Sequence, residues 1–135
     1  MCRVSDEELA NAIYARREQA RQVRSAPHAL ARFNECHANA ERYVAKNPRC
    51  RVVGGWLLED FSDFSYFNAH SVVQLEDGSL LDTTPLRRVC PFLPHWGTED
   101  EFAALRHNRP RVQHPYFAYE LSHDPPVGEP DEYLF

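Results

Sequence analysis

The segment NAHSVVQLEDGSLLDTTP, residues 68–85, holds the pattern that decides the fold. Apolar residues alternate up to Asp77-Gly78 and resume after it, which predicts two antiparallel strands joined by a tight turn. The first strand carries His70, and the second carries Asp82 among apolar neighbours. These two polar residues are therefore candidates for a catalytic pair.

Whether His70 and Asp82 can meet depends on the length of the connection between the strands. Side chains alternate between the two faces of a sheet, so a two-residue turn at Asp77-Gly78 sets the pair on opposite faces. A three-residue loop, 76–78, places Val72 opposite Asp82 and His70 on the diagonal. A five-residue loop, 74–78, places His70 directly opposite Asp82. The catalytic hypothesis requires one of the odd-numbered loops.

The remaining pattern predicts an α+β domain in which N-terminal helices pack on an antiparallel sheet. Capping boxes at Ser5 with Glu8 and at Thr98 with Glu101 predict two helix starts. Gly54-Gly55 indicates a bulge or a close approach in its strand. The predicted elements are a helix over 5–23, a helix from 34 or 35 to 46, a strand over 50–59, a loop or an irregular edge over 60–68, the hairpin, an irregular stretch over 85–97, a helix from 98 to about 107 and an edge strand over 111–121.

Composition bounds the classes of function. Hydrophobic residues make up 43% of the 135 residues, which predicts one soluble domain with a core over about 30–122 and a proline-rich acidic tail over 123–135. The net charge of -5 argues against a nucleic-acid partner. No apolar run is long enough for a membrane span, and the charged N-terminus is not a secretory signal. We therefore expect a cytoplasmic protein whose four cysteines are free thiols.

Cys36 is the candidate nucleophile. It falls in the first turn of the second predicted helix, where the positive end of the helix dipole favours the thiolate. The alternative is a packing role, because Cys36 also falls on the apolar face with Ala40 and Tyr43. The cysteines Cys2, Cys50 and Cys90 have no comparable setting.

Three features in this order resemble the core of the transglutaminase-like, papain-like cysteine peptidase superfamily: Cys36 at a helix start, the strand RVVGGWLL, and AHSVVQLEDGSLLDTTP. The resemblance covers about residues 34–85. It implies Cys36 as nucleophile, His70 as general base and acid, and Asp82 as the residue that orients His70. Departures are Asn34-Glu35 where glycine is usual, Ser71-Val72 where an aromatic residue is usual, and the ending Asp-Thr-Thr-Pro.

The resemblance implies thiol-dependent hydrolysis of, or acyl transfer from, a peptide, a protein or a small amide or ester. This chemistry needs no cofactor. An oxyanion requires hydrogen-bond donors, for which the candidates are the backbone N–H groups of Cys36 and His37, the Asn34 amide and the Trp56 indole.

Two other functions fit the same residues. Cys36, His37, His70 and Asp82 are competent zinc ligands, although neighbouring residues on a helix point about 100° apart, which disfavours Cys36 and His37 on one ion. A non-catalytic binding module on the same fold is the second alternative. Its contact surface would be the aromatic residues Phe61, Phe64, Tyr66 and Phe67, which otherwise complete a small core.

Overall fold

The computed structural model describes residues 4–27, 31–32, 35–85 and 89–116, and these form the α+β arrangement that the sequence predicts. The proline-rich tail and the end of the last predicted strand lie outside the described residues. The elements are α1 (Asp6–Ala15), a 3-10 helix (Arg17–Gln19), β1 (Arg24–Ser25), α2 (Cys36–Lys46), β2 (Arg51–Asp60), β3 (Ser65–Gln74), β4 (Leu80–Asp82), β5 (Phe92–Pro94), α3 (Glu99–Asn108) and β6 (Arg111–His114).

The six strands form one sheet in the order β1-β4-β3-β2-β5, with β6 also paired to β3. All pairs are antiparallel except that of β1 with β4, in which Arg24 lies beside Leu81. The sheet is therefore mixed, and the expectation of a wholly antiparallel sheet is wrong at this edge. The chain reaches it in an extended conformation, and the Ala26 N–H donates to the Asp82 carbonyl at 2.9 Å.

The first helix is shorter than predicted. Its capping box forms, with Ser5 and Glu8 exchanging hydrogen bonds of 3.1 Å, but α1 ends at Ala15 rather than near Val23. The apolar residues beyond that point serve an extended segment, in which Arg21 exchanges backbone hydrogen bonds of 2.7 and 2.9 Å with Phe92. Apolar spacing alone does not distinguish these two uses of Val23.

Strands β2 and β3 form a long hairpin in unbroken register from Arg51 with Gln74 to Asp60 with Ser65. The predicted loop or irregular edge over 60–68 is wrong, because β3 begins at Ser65 and is paired on both sides there. No bulge interrupts the ladder, and the glycines are required by close approach instead. A Cβ on Gly54 would lie 2.3 Å from the Phe102 ring, and one on Gly55 would lie 2.2 Å from the Leu93 carbonyl oxygen.

The connection between β3 and β4 meets the condition set by the sequence. Val73 pairs with Leu81 and Gln74 with Leu80, and the same register places Leu75 opposite Ser79. The Leu75 N–H donates to the Ser79 carbonyl at 2.9 Å, which closes a three-residue loop. Gly78 takes the left-handed conformation, φ +88°, that such loops favour at their third residue. An odd-numbered connection is thus confirmed, and continuing the register puts Val72 opposite Asp82.

The core lies on both faces of the sheet. One face packs against α1 and α3 through the largest cluster, which includes Ile13, Trp56 and Phe102. The other face carries a smaller cluster of Leu57, Val72, Leu80 and Phe92. Within the described ranges, no helix is long and apolar enough to cross a membrane.

The C-terminal elements agree in part with the sequence. Helix α3 follows the Thr98 cap, which accepts from the Glu101 N–H at 3.1 Å. The stretch over 85–97 was predicted to be irregular, but its residues Phe92–Pro94 form β5 beside β2. Strand β6 ends at His114, and it pairs with the N-terminal half of β3.

Candidate thiol active site

Cys36 is the first residue of α2, as the sequence predicts, and it is 6% exposed. Glu35 occupies the N-cap position and makes no side-chain capping hydrogen bond. The first backbone N–H groups of a helix have no intrahelical acceptor. The Glu35 side chain does not accept from them either, so it does not compete with another acceptor at this position. Asn34, a predicted oxyanion donor, lies outside the described residues.

His70 and Asp82 meet on one face of the sheet. The His70 Nε2 lies 2.7 Å from the Asp82 Oδ2, and both side chains are almost wholly buried. The second carboxylate oxygen, Oδ1, accepts from the Thr84 N–H at 3.0 Å. Asp82 is therefore held by the backbone that follows it and in turn fixes the His70 ring. Because a carboxylate only accepts, Nε2 carries the proton and Nδ1 is the ring nitrogen that can act on a thiol.

The environment of His70 favours its charged form. Burial of the ring lowers the pKa, but hydrogen bonds with Asp82 and then Cys36, with the charges of both, outweigh burial and raise the pKa of His70 from 6.5 to about 9. At neutral pH the ring is accordingly an imidazolium that contacts both the Asp82 carboxylate and Cys36. An imidazolium beside a cysteine is the arrangement that activates many thiol nucleophiles.

The contact between Cys36 and His70 occurs at a break in one edge of β3, which we call the seam and define as His70 and Ser71. Along this edge β6 pairs with residues up to Asn68, and β4 pairs with Val73 and Gln74. Among the described strands, none pairs with the seam on that side. The first turn of α2 lies at this open edge, where Cys36 contacts His70 and His37 contacts Ser71.

The first turn of α2 makes a second contact with the seam. His37 Nδ1 lies 3.1 Å from the hydroxyl oxygen of Ser71, which is wholly buried. The sequence indicated the backbone N–H of His37 as an oxyanion donor and its side chain as a possible zinc ligand, but not this hydrogen bond. Nothing in the local pattern identifies the side-chain pair, because it depends on where α2 meets β3.

Asn39 supports the site from the same helix and was not predicted to do so. Its side chain is buried and donates to the Arg32 carbonyl at 2.7 Å and to the Thr84 hydroxyl at 3.0 Å. It thereby joins the chain before Cys36 to the chain after Asp82. A signal was present, since Asn39 interrupts the apolar face of the helix three residues after Cys36.

Trp56 does not take the position expected of an oxyanion donor. Its indole N–H donates to His95 Nδ1 at 3.2 Å, and its ring is wholly buried in the largest cluster. Trp56 pairs with Ala69, one residue before His70, so its side chain lies on the opposite face of the sheet. Its role is packing, with His95 satisfying the buried N–H.

The described residues do not favour the zinc alternative. Among them, no group of three or more His, Cys, Asp or Glu side chains is arranged to hold a metal ion. The His70 ring lies between its two partners, with Nε2 on Asp82, so Cys36 and Asp82 do not converge with it on one point. The Cys36, Cys50 and Cys90 side chains are free thiols, as expected. Cys2 lies outside the described residues.

The aromatic residues of the second alternative mostly pack on one another. Phe67 is 1% exposed and belongs to the largest cluster. Phe61, Phe64 and Tyr66 lie at the turn of the β2–β3 hairpin with ring centroids 4.8 to 5.6 Å apart. These contacts fit the expected small core better than an open binding surface.

The chain matches no known protein family, and no curated protein or solved structure is significantly similar to it. The chemistry of the site is therefore assigned from its side chains. A buried thiol, an imidazole in contact with it and a carboxylate on the far ring nitrogen form a linear relay. Such a relay can generate a thiolate, stabilise it and deliver a proton to a leaving group.

Proposed function

We propose that the chain is a thiol-dependent amide or peptide hydrolase, or an acyltransferase, with Cys36 as nucleophile, His70 as general acid and base, and Asp82 as the residue that orients His70. The observation that carries the proposal is the buried bond of 2.7 Å between His70 and Asp82 on an imidazole that also contacts Cys36. The order helix, strand, hairpin supports a core of the transglutaminase-like, papain-like type.

The steps follow from the protonation states of the pair. The Cys36 thiolate attacks the carbonyl carbon of the substrate, and the C–N or C–O bond breaks as His70 gives its proton to the leaving group. A thioester remains on Cys36. Neutral His70 then takes a proton from water or from an acceptor amine, which attacks the thioester and releases the acid or the new amide. Asp82 keeps the ring in one orientation throughout.

The oxyanion of the tetrahedral intermediate would be stabilised by the backbone N–H groups of Cys36 and His37. Both belong to the first turn of α2, where the helix dipole adds to their effect. The Glu35 side chain makes no capping bond with this turn. The substrate class is a peptide, a protein or a small amide or ester, and the chemistry requires no cofactor.

Alkylation by iodoacetamide tests the nucleophile directly. In a Cys2→Ser background, Cys36 should react faster at pH 7 than Cys50 or Cys90, and the ratio should grow as the pH falls. Ordinary thiols lose about tenfold in thiolate for each pH unit below about 8.5. Mass spectrometry of the peptides gives each rate. The comparison is internally controlled, because Cys50 and Cys90 are more exposed than Cys36 and access alone would favour them.

The His70→Ala variant completes the test. We expect its Cys36 rate at pH 7 to fall by at least about tenfold, since the thiol loses its ion-pair partner. Equal rates for Cys36, Cys50 and Cys90 when His70 is intact, or no effect of His70→Ala on the rate of Cys36, would count against a catalytic thiol. A non-catalytic binding module predicts that His70→Ala has no effect on the rate of Cys36. Amide and ester substrates can then be compared by how far each one slows the alkylation of Cys36.

A further inference from the structure

The second contact between α2 and the seam has no role in the chemistry proposed above. Two successive helix residues, Cys36 and His37, contact two successive strand residues, His70 and Ser71. The strand residues point to opposite faces of the sheet, and the helix residues point about 100° apart. The two contacts therefore have different directions, and together they restrict both sliding and rotation of the first turn of α2 against β3.

The His37 ring is suited to a fixed, uncharged role. Burial, and then the charge of Arg106, lower the pKa of His37, while Glu41 and Glu99 act more weakly in the opposite direction. Its Nε2 lies 3.6 Å from the Glu41 carboxylate, which can only accept a proton. With the proton on Nε2, the Nδ1 atom accepts from the Ser71 hydroxyl. Ser71 is wholly buried, so water does not compete for that bond.

Besides the two seam contacts, the first turn of α2 is held by the buried Asn39 side chain and not by a side-chain cap. Its N-cap residue makes no side-chain hydrogen bond, in contrast to Ser5 of α1 and Thr98 of α3. The nearest apolar anchor on the helix is Ala40, one turn further on, which packs against Val73 and Leu81. Asn39 ties the flanking segments together rather than the strand at the seam.

We propose that His37 and Ser71 are positioning residues of the thiol site: the hydrogen bond between them holds the first turn of α2 on β3 so that Cys36 stays against His70. This inference rests on the proposed function. Neither of the two side chains touches the reacting atoms. Their effect passes through the distance between the thiol and the imidazole, on which the ion pair depends steeply.

The test uses alkylation of Cys36 in the full chain across pH 5.5–9. His37→Ala and Ser71→Ala should each slow the reaction at pH 6.5 by about tenfold or more. Their pH profiles should shift towards that of Cys50. His37→Asn puts a polar atom where Nδ1 lies and should restore most of the rate. His37→Gln puts its polar atom near the position of Nε2 and should not. Lys46→Gln, at an exposed position of the same helix, is the matched control and should behave as wild type.

The outcomes separate this inference from the proposed function. If His70→Ala leaves the wild-type rate of Cys36 unchanged, the thiol site itself fails. If His70→Ala slows Cys36 but His37→Ala keeps the wild-type rate and pH profile, the positioning role alone is overturned. Equal rescue by Asn and Gln, or an equal loss in Lys46→Gln, also overturns it. Thermal unfolding of each variant checks folding, and a lower melting temperature with an unchanged pH profile indicates a structural role only.

Discussion

At the scale of single residues, the site depends on a charge held inside the protein. Burial opposes the imidazolium of His70, and hydrogen bonds with Asp82 and Cys36 more than offset that cost. A buried ionic group is retained only where partners of this kind surround it. Asp82 supplies such a partner, and its own second oxygen is satisfied by the Thr84 N–H.

The Asp82→Asn variant should reveal this arrangement through the pH dependence of stability. The pKa of His70 is about 9 in the folded chain against an ordinary 6.5, so the imidazolium stabilises the fold fully below pH 6.5. That contribution is lost as the pH rises through 9. Wild type should therefore exceed Asp82→Asn in free energy of unfolding by about 3 kcal/mol at pH 6. The difference should shrink by pH 10.

Urea unfolding at pH 6, 8 and 10 measures this difference. Asp77→Asn, in the exposed loop of the same hairpin, is the control. The pKa of Asp77 is lowered from an ordinary 3.8 by hydrogen bonds from Ser79, so its effect should not vary between pH 6 and 10. A penalty for Asp82→Asn that stays constant over this range would show that the His70 imidazolium is not stabilised by Asp82.

At the scale of elements, helix α2 could be predicted because local rules govern it, whereas the sequence left the β3–β4 loop open among lengths of two, three and five residues. Residues 47–48, Asn-Pro, end the helix, and a left-handed Gly78 fixes the loop length and hence the face on which Asp82 lies. The extent of α1 could not be predicted in the same way. The segment after Ala15 contains an extended stretch in which Arg21 pairs with Phe92 of β5, a contact of the tertiary structure.

The two glycines of β2 give a prediction about close packing between elements. Gly55→Ala should destabilise the fold by about 3 kcal/mol, because the added Cβ would meet the backbone of β5, which cannot move aside without breaking its ladder. Gly54→Ala should cost less, because its Cβ meets the side chain of Phe102.

Chemical denaturation of the two variants measures the difference, and Phe102→Leu provides the control. Adding Phe102→Leu should recover part of the loss in Gly54→Ala and none of the loss in Gly55→Ala. If both glycine variants were as stable as wild type, the close approaches at β2 would be wrong.

At the scale of the whole molecule, the largest cluster and the His70–Asp82 pair lie on opposite faces of the sheet. Helix α2 packs on the face of the largest cluster, while its first residue, Cys36, contacts His70. The largest cluster contains Ile13, and Val72 lies on the face of the His70–Asp82 pair. The candidate residues Cys36, His70 and Asp82 could be named from sequence because they fall on local elements. The seam could not be predicted, since it arises where β6 returns to β3 from a distant part of the chain.

This division predicts different effects for two core substitutions. Ile13→Ala should lower the free energy of unfolding by about 3 kcal/mol through a cavity, and should leave the alkylation rate of Cys36 unchanged. Val72→Ala removes a wholly buried side chain on the face of His70, and should lower both stability and rate. Urea unfolding and peptide mass spectrometry measure the two quantities. An equal loss of rate in both variants would mean that the faces are not independent.

The burial of Cys36 against His70 has a consequence for the study of folding itself. In the unfolded chain, Cys36 has no histidine held beside it and is chemically equivalent to Cys50 and Cys90. Its proposed reactivity therefore exists only while α2 and β3 are assembled. The ratio of Cys36 to Cys50 labelling, followed through denaturant, would report the integrity of one tertiary contact in the native sequence. The protein thus carries its own folding probe, with no dye or engineered residue.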